Sequence, residues 1–465
     1  MLFNSYEFIF AYLPVVFIGY FLLNRFKLYN TAKIWMALAS LFFYAYEDTR
    51  YLPLILGSIA FNYLVGRGLG HINSNGVNHK GKWLLVLGIV GDVGLLGYYK
   101  YADFFIENYN GLFGQDFSLL HIALPLGISF FTFTQLAYLV DAYRGSAREY
   151  NVANYVLFVT FFPHLIAGPI LHHKEMMPQF DDPDSKRIRA DNISRGIFIF
   201  CIGLFKKVVI ADLLAPIATA GFDSSGHALH FVEAWTTSLA YTGQLYFDFS
   251  AYSDMAIGLG LIFNIKLPVN FNSPYKGVNI KDFWARWHMT LSRFLRDYIY
   301  IPLGGNRKGT TRTYINLFLT FLIGGFWHGA GWTFIIWGAM HGAAQVVQRL
   351  WQLTGIKMNK YVGWFITFNF VNIAWVFFRA QHWSDGVRIL KGMFGMTGII
   401  LPPDILTAGL PIVVVALLIA LFARNSIQLT ESFKPTLGRA VFAAAIFVVS
   451  LLYFNQISEF LYFNF

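Results

Sequence analysis

Apolar residues recur along the chain in long blocks with short polar interruptions, at 8–23, 34–46, 52–65, 83–99, 122–140, 197–209, 314–340, 364–378, 410–422 and 441–454. Blocks of this length, without strict alternation of apolar and polar positions, predict helices rather than strands. Several fall short of the roughly 20 residues that a straight bilayer crossing needs. The pattern predicts an all-α polytopic membrane protein with about ten to thirteen transmembrane or half-spanning helices, some tilted or broken.

One stretch is patterned differently. In "KDFWARWHMTLSRFLRDYIY", residues 281–300, projection at about 100° per residue gathers Trp284, Trp287, His288, Leu291, Phe294, Leu295 and Tyr298 on one arc. Arg286, Arg293, Arg296 and Asp297 fall opposite. This predicts an amphipathic helix at the membrane surface, with His288 on the rim of its apolar face and Asp297 paired with Arg293 one turn earlier. The following "IPLGGNRKGTTR" predicts a turn at Pro302, Gly304 and Gly305 that ends the helix and presents Asn306, Arg307 and Lys308.

Composition supports the membrane reading. The 465 residues are 56% hydrophobic and only 13% charged, against about a quarter charged in soluble domains. No linker, low-complexity tract or 20–50-residue repeat divides them, which predicts a single transmembrane domain over 1–465. The first apolar block is not read as a cleaved signal, because Glu7 and no basic residue precedes it. Arg25, Lys27 and Lys33 follow it, and the positive-inside rule then places the N-terminus outside and this loop in the cytoplasm. Alternation puts "RGLGHINSNGVNHKGK" (67–82) and "RGSAR" (144–148) on the same side, and both are basic.

The net charge of +10 needs no nucleic-acid partner. More than half of it lies between Lys276 and Arg312, a segment of net +6. It reads either as positive-inside bias in contact with lipid headgroups or as a dock for an anionic, nucleotide-bearing donor. Cys201 is the only cysteine, so no intrachain disulfide and no Cys-based metal site are expected. The histidine spacings suggest no metal cluster, and HExxH, GxSxG and the P-loop are absent.

Candidate chemistry concentrates in "GGFWHGAGW", residues 324–332, inside a run of 36 residues without Lys, Arg, Asp or Glu. An imidazole there must face the protein interior or a wet cavity. Gly324, Gly325, Gly329 and Gly331 either let the backbone bend and a ligand approach, or serve tight helix packing around a structural His328. His341 reads as structural, and His172 and His173 as solvated or interfacial. Asp248 and Asp254, in "LYFDFSAYSDMAIGLGLIF", are either proton ligands, substrate ligands or orienting partners of a histidine, or tethers between helices through Tyr252 and Ser253. Lys206 and Lys207 read as snorkelling to the interface, with a donor phosphate as the other candidate.

Taken in order, "QLYFDFSAYSDMAIGLGL", "FWARWHMTLSRFLRDYIYIPLGGNRKGT" and "GGFWHGAGWTFIIWGAMHG" resemble the membrane-bound O-acyltransferase family, and most of all its bacterial alginate O-acetyltransferase branch. "MLFNSYEFIFAYLP", "LGYYKYADFF", "LPLGISFFTF", "VDAYRG", "FFPHLIAGPI", "GLFKKVVIAD" and "ISEFLYFNF" extend the resemblance along almost the whole chain. The resemblance implies that His328 and His288 are the active-site histidines, within helices that ring a central channel in a bacterial inner membrane. It further implies O-acetylation of an extracytoplasmic polysaccharide such as alginate, cellulose, another exopolysaccharide or peptidoglycan. A separate extracytoplasmic transferase is the expected partner, and acetyl-CoA the expected donor, without a cofactor. Donor binding is expected at Arg286, Arg293, Arg296, Asn306, Arg307 and Lys308, with Trp287, Trp327, Asp248 and Asp254 in support. Two alternatives stay open: D-alanyl or other acyl transfer from a carrier protein, and a non-enzymatic transporter.

Overall fold

A computed structural model describes residues 1–72, 79–147, 151–224, 228–400, 409–454 and 460–461. The predicted loops at 67–82 and 144–148 and the closing "ISEFLYFNF" lie partly outside these residues. Among the described residues all regular structure is helical. Four helices among the described residues are long and apolar enough to cross a membrane: Glu7–Arg25, Thr49–Ile72, His79–Phe113 and Lys360–Arg379. Leu410–Phe422 and Leu437–Leu452 are shorter apolar helices. The described residues fall into two compact units.

The first unit comprises Met1–Phe200, Met255–Pro268 and Pro435–Ala440. The helix Leu13–Arg25 packs on Tyr29–Ala45. Gly19 makes this approach close, because a Cβ there would meet the Trp35 indole at 2.6 Å. Polar side chains at membrane depth are paired inward, as a low dielectric demands: the Asn62 amide donates to Asp92 Oδ1 at 2.7 Å, and Gln135 to Ser58 Oγ at 2.8 Å. His172 and His173, expected in a wet loop, are buried at 4% and 5% exposure. The stretch from 161 to 172 folds inward as a wholly buried turn, which seats His173 against Tyr138 and Phe158.

The second unit comprises Cys201–Asp254, Val269–Lys434 and Val441–Phe465. Its centre is a hairpin of Thr310–His328 and Trp332–Leu353, with Lys360–Arg379 packed on the second arm. Small residues let the two arms meet backbone to backbone. A Cβ on Gly325 would lie 2.5 Å from the Phe334 carbonyl oxygen and 2.7 Å from the Gly338 Cα, and one on Gly338 would lie 2.6 Å from the Phe321 oxygen. Gly338 and Gly342 form a GxxxG pair on the same helix. Backbone atoms cannot swing aside as a side chain can, so Gly338→Leu is expected to cost at least the ~1–3 kcal/mol of core overpacking. The check is the melting temperature of purified protein; an unchanged value would refute the hairpin contact.

Candidate functional site

His328 is the last residue of the helix Thr310–His328 and is 3% exposed. Its imidazole sits in an aromatic pocket, with Trp327 at 4.8 Å between ring centroids and Trp337 and Phe378 each at 5.1 Å. The tight hairpin supplies Trp337 from the opposing arm, and the packed helix Lys360–Arg379 supplies Phe378. Gly324, Gly325, Gly329 and Gly331 are packed against protein atoms. Gly325 serves helix packing, whereas Gly329 lies against the Phe334 ring, within 2.7 Å of where its Cβ would stand.

His288 lies in a break between two short helices, Ile280–Trp284 and Met289–Leu295. The predicted amphipathic surface helix across 281–300 is therefore interrupted. His288 adopts a left-handed φ of +41°, which an ordinary L-residue avoids. Such a conformation persists only where the surroundings over-determine it, and it recurs at functional sites. Instead of lining the rim of an apolar face, His288 is fully buried. The break turns Phe283, Trp284, Trp287 and His288 inward together, a burial that the helical projection could not represent.

The partner that defines His288 is Asn270. His288 Nδ1 lies 3.0 Å from Asn270 Oδ1, and the same oxygen accepts from the Thr290 backbone N–H and hydroxyl at 3.3 and 3.0 Å. A backbone N–H can only donate, so this atom of the Asn270 amide is the oxygen. His288 Nδ1 must then carry the proton, which makes Nε2 the basic nitrogen of the neutral ring. Asn270→Ala removes this selection of tautomer and is expected to lower turnover more than donor affinity. An unchanged maximal rate with folded protein would show that Asn270 does not govern His288.

His341 has the opposite tautomer. The Trp284 indole N–H, which can only donate, points at His341 Nδ1 at 3.1 Å; the ring proton therefore resides on Nε2. His341 is fully buried, 4.7 Å from Trp337, in keeping with the structural role read from the sequence. An aromatic wall joins the histidines. From His328 it runs to Trp337, then to Trp375 at 5.5 Å, Trp287 at 4.9 Å and Phe271 at 5.1 Å, which lies 6.4 Å from His288. Nothing local in the sequence marked Asn270, Trp375 or Phe378, because they are distant in the chain from the histidines they touch.

The acidic pair finds a third arrangement beyond those the sequence offered. Asp254 accepts from Lys206 at 2.7 Å, and Asp248 from Lys207 at 2.8 Å. Lys207 also reaches Asp212 at 2.9 Å. Neither lysine snorkels: they are 9% and 1% exposed, because carboxylates wait for them inside. Asp248 Oδ2 further accepts the Leu461 N–H at 3.0 Å.

The predicted donor residues divide. Asn306 lines a cavity of about 590 Å³ together with Lys281, Gln345 and Arg349. The turn that presents it forms as expected, with Gly304 and Gly305 at φ +115° and +54°. Arg307 and Lys308 are exposed on the same turn. Arg286 instead pairs with Asp282 at 2.8 Å, and Arg296 with Asp297 at 2.7 Å. The hydrogen bond from Arg296 to Asp297 holds that guanidinium above its usual range. Asp297, within pairing reach of Arg293 by sequence spacing, has Arg296 as one ion-pair partner. Arg293 is half-buried on the helix Met289–Leu295.

Comparison with known proteins follows these features. The chain is 53% identical over 429 residues to the peptidoglycan O-acetyltransferase of Helicobacter pylori, covering 86% of this chain and 81% of the relative. It is 44% identical to the probable alginate O-acetylase AlgI of Pseudomonas aeruginosa, over 85% of this chain and 75% of the relative. The corresponding protein of Pseudomonas putida is 43% identical, over 85% and 80%. The model of the MBOAT, or membrane-bound O-acyltransferase, family matches residues 115–382, which hold both His288 and His328. With its helical architecture, its membrane-crossing helices and these matches, the chain belongs to the membrane-bound O-acyltransferase family and is an acyltransferase.

Proposed function

We propose that this acyltransferase takes acetyl from acetyl-CoA at the cytoplasmic face and passes it across the bacterial inner membrane for O-acetylation of an extracytoplasmic polysaccharide. Peptidoglycan is the first candidate acceptor, supported by the higher identity to a peptidoglycan O-acetyltransferase than to the alginate O-acetylases. The N-terminus lies outside, and about ten to thirteen spanning and half-spanning helices surround a central passage. The observation that carries the chemistry is the burial of two histidines along one aromatic wall, one of them with its tautomer set by Asn270.

In this reading the acyl end of the donor reaches His328. An acceptor hydroxyl attacks the thioester carbonyl, and His328 takes its proton, work suited to an imidazole near neutral pH. The C–S bond breaks, the new C–O bond remains, and His328 returns the proton to the departing thiolate as CoA thiol. His288, basic at Nε2, orients the acceptor hydroxyl. Asn306, Arg307 and Lys308 meet the donor's phosphates. The hydroxyl acylated in this step belongs to a separate extracytoplasmic transferase, whose acetyl ester is then broken by attack of a sugar hydroxyl of the polymer, returning the transferase's own hydroxyl.

The test is transfer of labelled acetyl from acetyl-CoA by purified protein in nanodiscs, with and without candidate partner transferases and with peptidoglycan or alginate. Label on peptidoglycan only when a partner is present supports the relay. Full-rate labelling of polymer by the chain alone would refute it, and a requirement for an acyl carrier protein would replace the donor.

A further inference from the structure

We propose that the first unit carries a binding site for an anionic phospholipid, at the end of its first membrane-crossing helix. Where the helix Leu13–Arg25 stops, a cavity of about 650 Å³ opens. Phe17, Ile18 and Leu22 are among its apolar lining residues, and Arg25, Lys27 and Arg187 among its basic ones. No Asp or Glu lines it.

The neighbouring carboxylates are already engaged. Asp181 pairs with Lys33, Asp182 accepts the Asp184 N–H at 2.9 Å, and Asp184 pairs with Arg189 at 3.3 Å. A fourth cation on the lining, Lys186, donates to the Asp181 carbonyl at 3.1 Å and rests over the Tyr29 ring at 4.5 Å. Among the described residues no carboxylate pairs with Arg25, Lys27 or Arg187. Three cations converging without a counter-ion call for an anion.

The backbone at Lys27 is a second, independent sign. The Leu28 N–H donates to the Leu23 carbonyl at 3.0 Å, closing the helix by a bond that spans five residues. Lys27 sits inside that closure at φ +60°. Glycine ordinarily fills this left-handed place at a helix end, because any Cβ there is strained. The lysine kept in this strained place is one of the residues that line the cavity, and strain of this kind accompanies ligand clamps.

The apolar part of the lining selects the ligand. Ile18 and Ile188 are 61% and 64% exposed, and Leu22 49%. Ile18 and Leu22 lie on a helix apolar enough to cross a bilayer, and Ile188 comes from the segment after the 3-10 turn Pro183–Lys186. A ligand that fits is anionic at one end and hydrocarbon at the other. Basic pockets at the ends of membrane helices hold anionic lipid headgroups in this way. An open apolar wall along a membrane helix suits acyl chains, whereas the base of a nucleotide would need an enclosed slot.

The experiment is native mass spectrometry of the delipidated full chain titrated with phosphatidylglycerol, phosphatidylcholine or CoA. Wild type is compared with Lys27→Gly, Arg187→Gln and the double variant. Lys27→Gly relieves the backbone, so a folding defect does not mask the result. Each lost cation is expected to weaken phosphatidylglycerol retention about five-fold, and the double variant about 25-fold, with phosphatidylcholine unaffected. Equal retention of the two lipids by wild type, or unchanged phosphatidylglycerol retention in the double variant, would overturn the proposal. Loss of CoA binding in that variant would overturn it in favour of a donor site.

Discussion

Replacing His328 by alanine is expected to lower acetyl transfer by about 10²–10⁴-fold, the usual contribution of a positioned general base, while leaving CoA binding within a few-fold of wild type. The expectation rests on position. His328 ends its helix inside a pocket of Trp327, Trp337 and Phe378, whereas the proposed donor contacts at Asn306–Lys308 lie on the turn before that helix begins. Loss of the imidazole therefore removes the proton acceptor without touching the phosphate contacts. Truncation also leaves a void in the aromatic pocket, so His328→Gln, which keeps more of the volume, is the companion variant. The glutamine variant should melt near wild type, the alanine variant somewhat lower because of the void, and both should lose activity. Substantial turnover in the glutamine variant would remove His328 from the role of base; loss of CoA binding in both variants would instead assign it to the donor.

Lys207→Met is expected to have the largest effect on stability. Its ammonium sits between Asp248 and Asp212 at 2.8 and 2.9 Å, with side-chain exposures of 1%, 3% and 6% for the three residues. Removing one partner of a buried pair strands the remaining charge and costs about 3–5 kcal/mol; here two carboxylates are left facing each other. Adding Asp248→Asn and Asp212→Asn to the same variant removes the stranded charges and should recover much of the loss. The measurement is the melting temperature of the single and triple variants side by side. A single variant as stable as wild type would mean that the triad is wet and screened. The triad also fastens the end of the chain: the Leu461 N–H meets Asp248, and Phe460 covers Lys207 at 4.7 Å. Proteolysis near the C-terminus should therefore accelerate in Lys207→Met.

The basic segment shows how far helical projection reaches. It sorted Trp284, Trp287 and Leu291 from Arg286 and Arg296 correctly, because burial does separate these residues. It failed at His288, because projection assumes one continuous helix and the helix breaks there at a left-handed residue. The turn at Gly304 and Gly305 was legible because glycine at positive φ is a local preference. The lysines were not: snorkelling is the default for a cation on an apolar helix, and only the fold reveals a carboxylate within 3 Å.

The sequence by itself determined the class of this protein. Apolar blocks, scarce charge and the "FWHG" and "RWHMTLS" motifs specify a helical membrane acyltransferase, since hydropathy and motif identity are written in neighbouring residues. The tertiary structure alone decided which nitrogen of His288 is basic, which aromatic rings enclose His328 and which lysine holds which aspartate. Those outcomes depend on residues such as Asn270, Phe378 and Lys207, which are far apart in the chain and meet only when helices pack. Inside a low-dielectric interior each polar group must find its partner across that distance, and the fold selects the pairing.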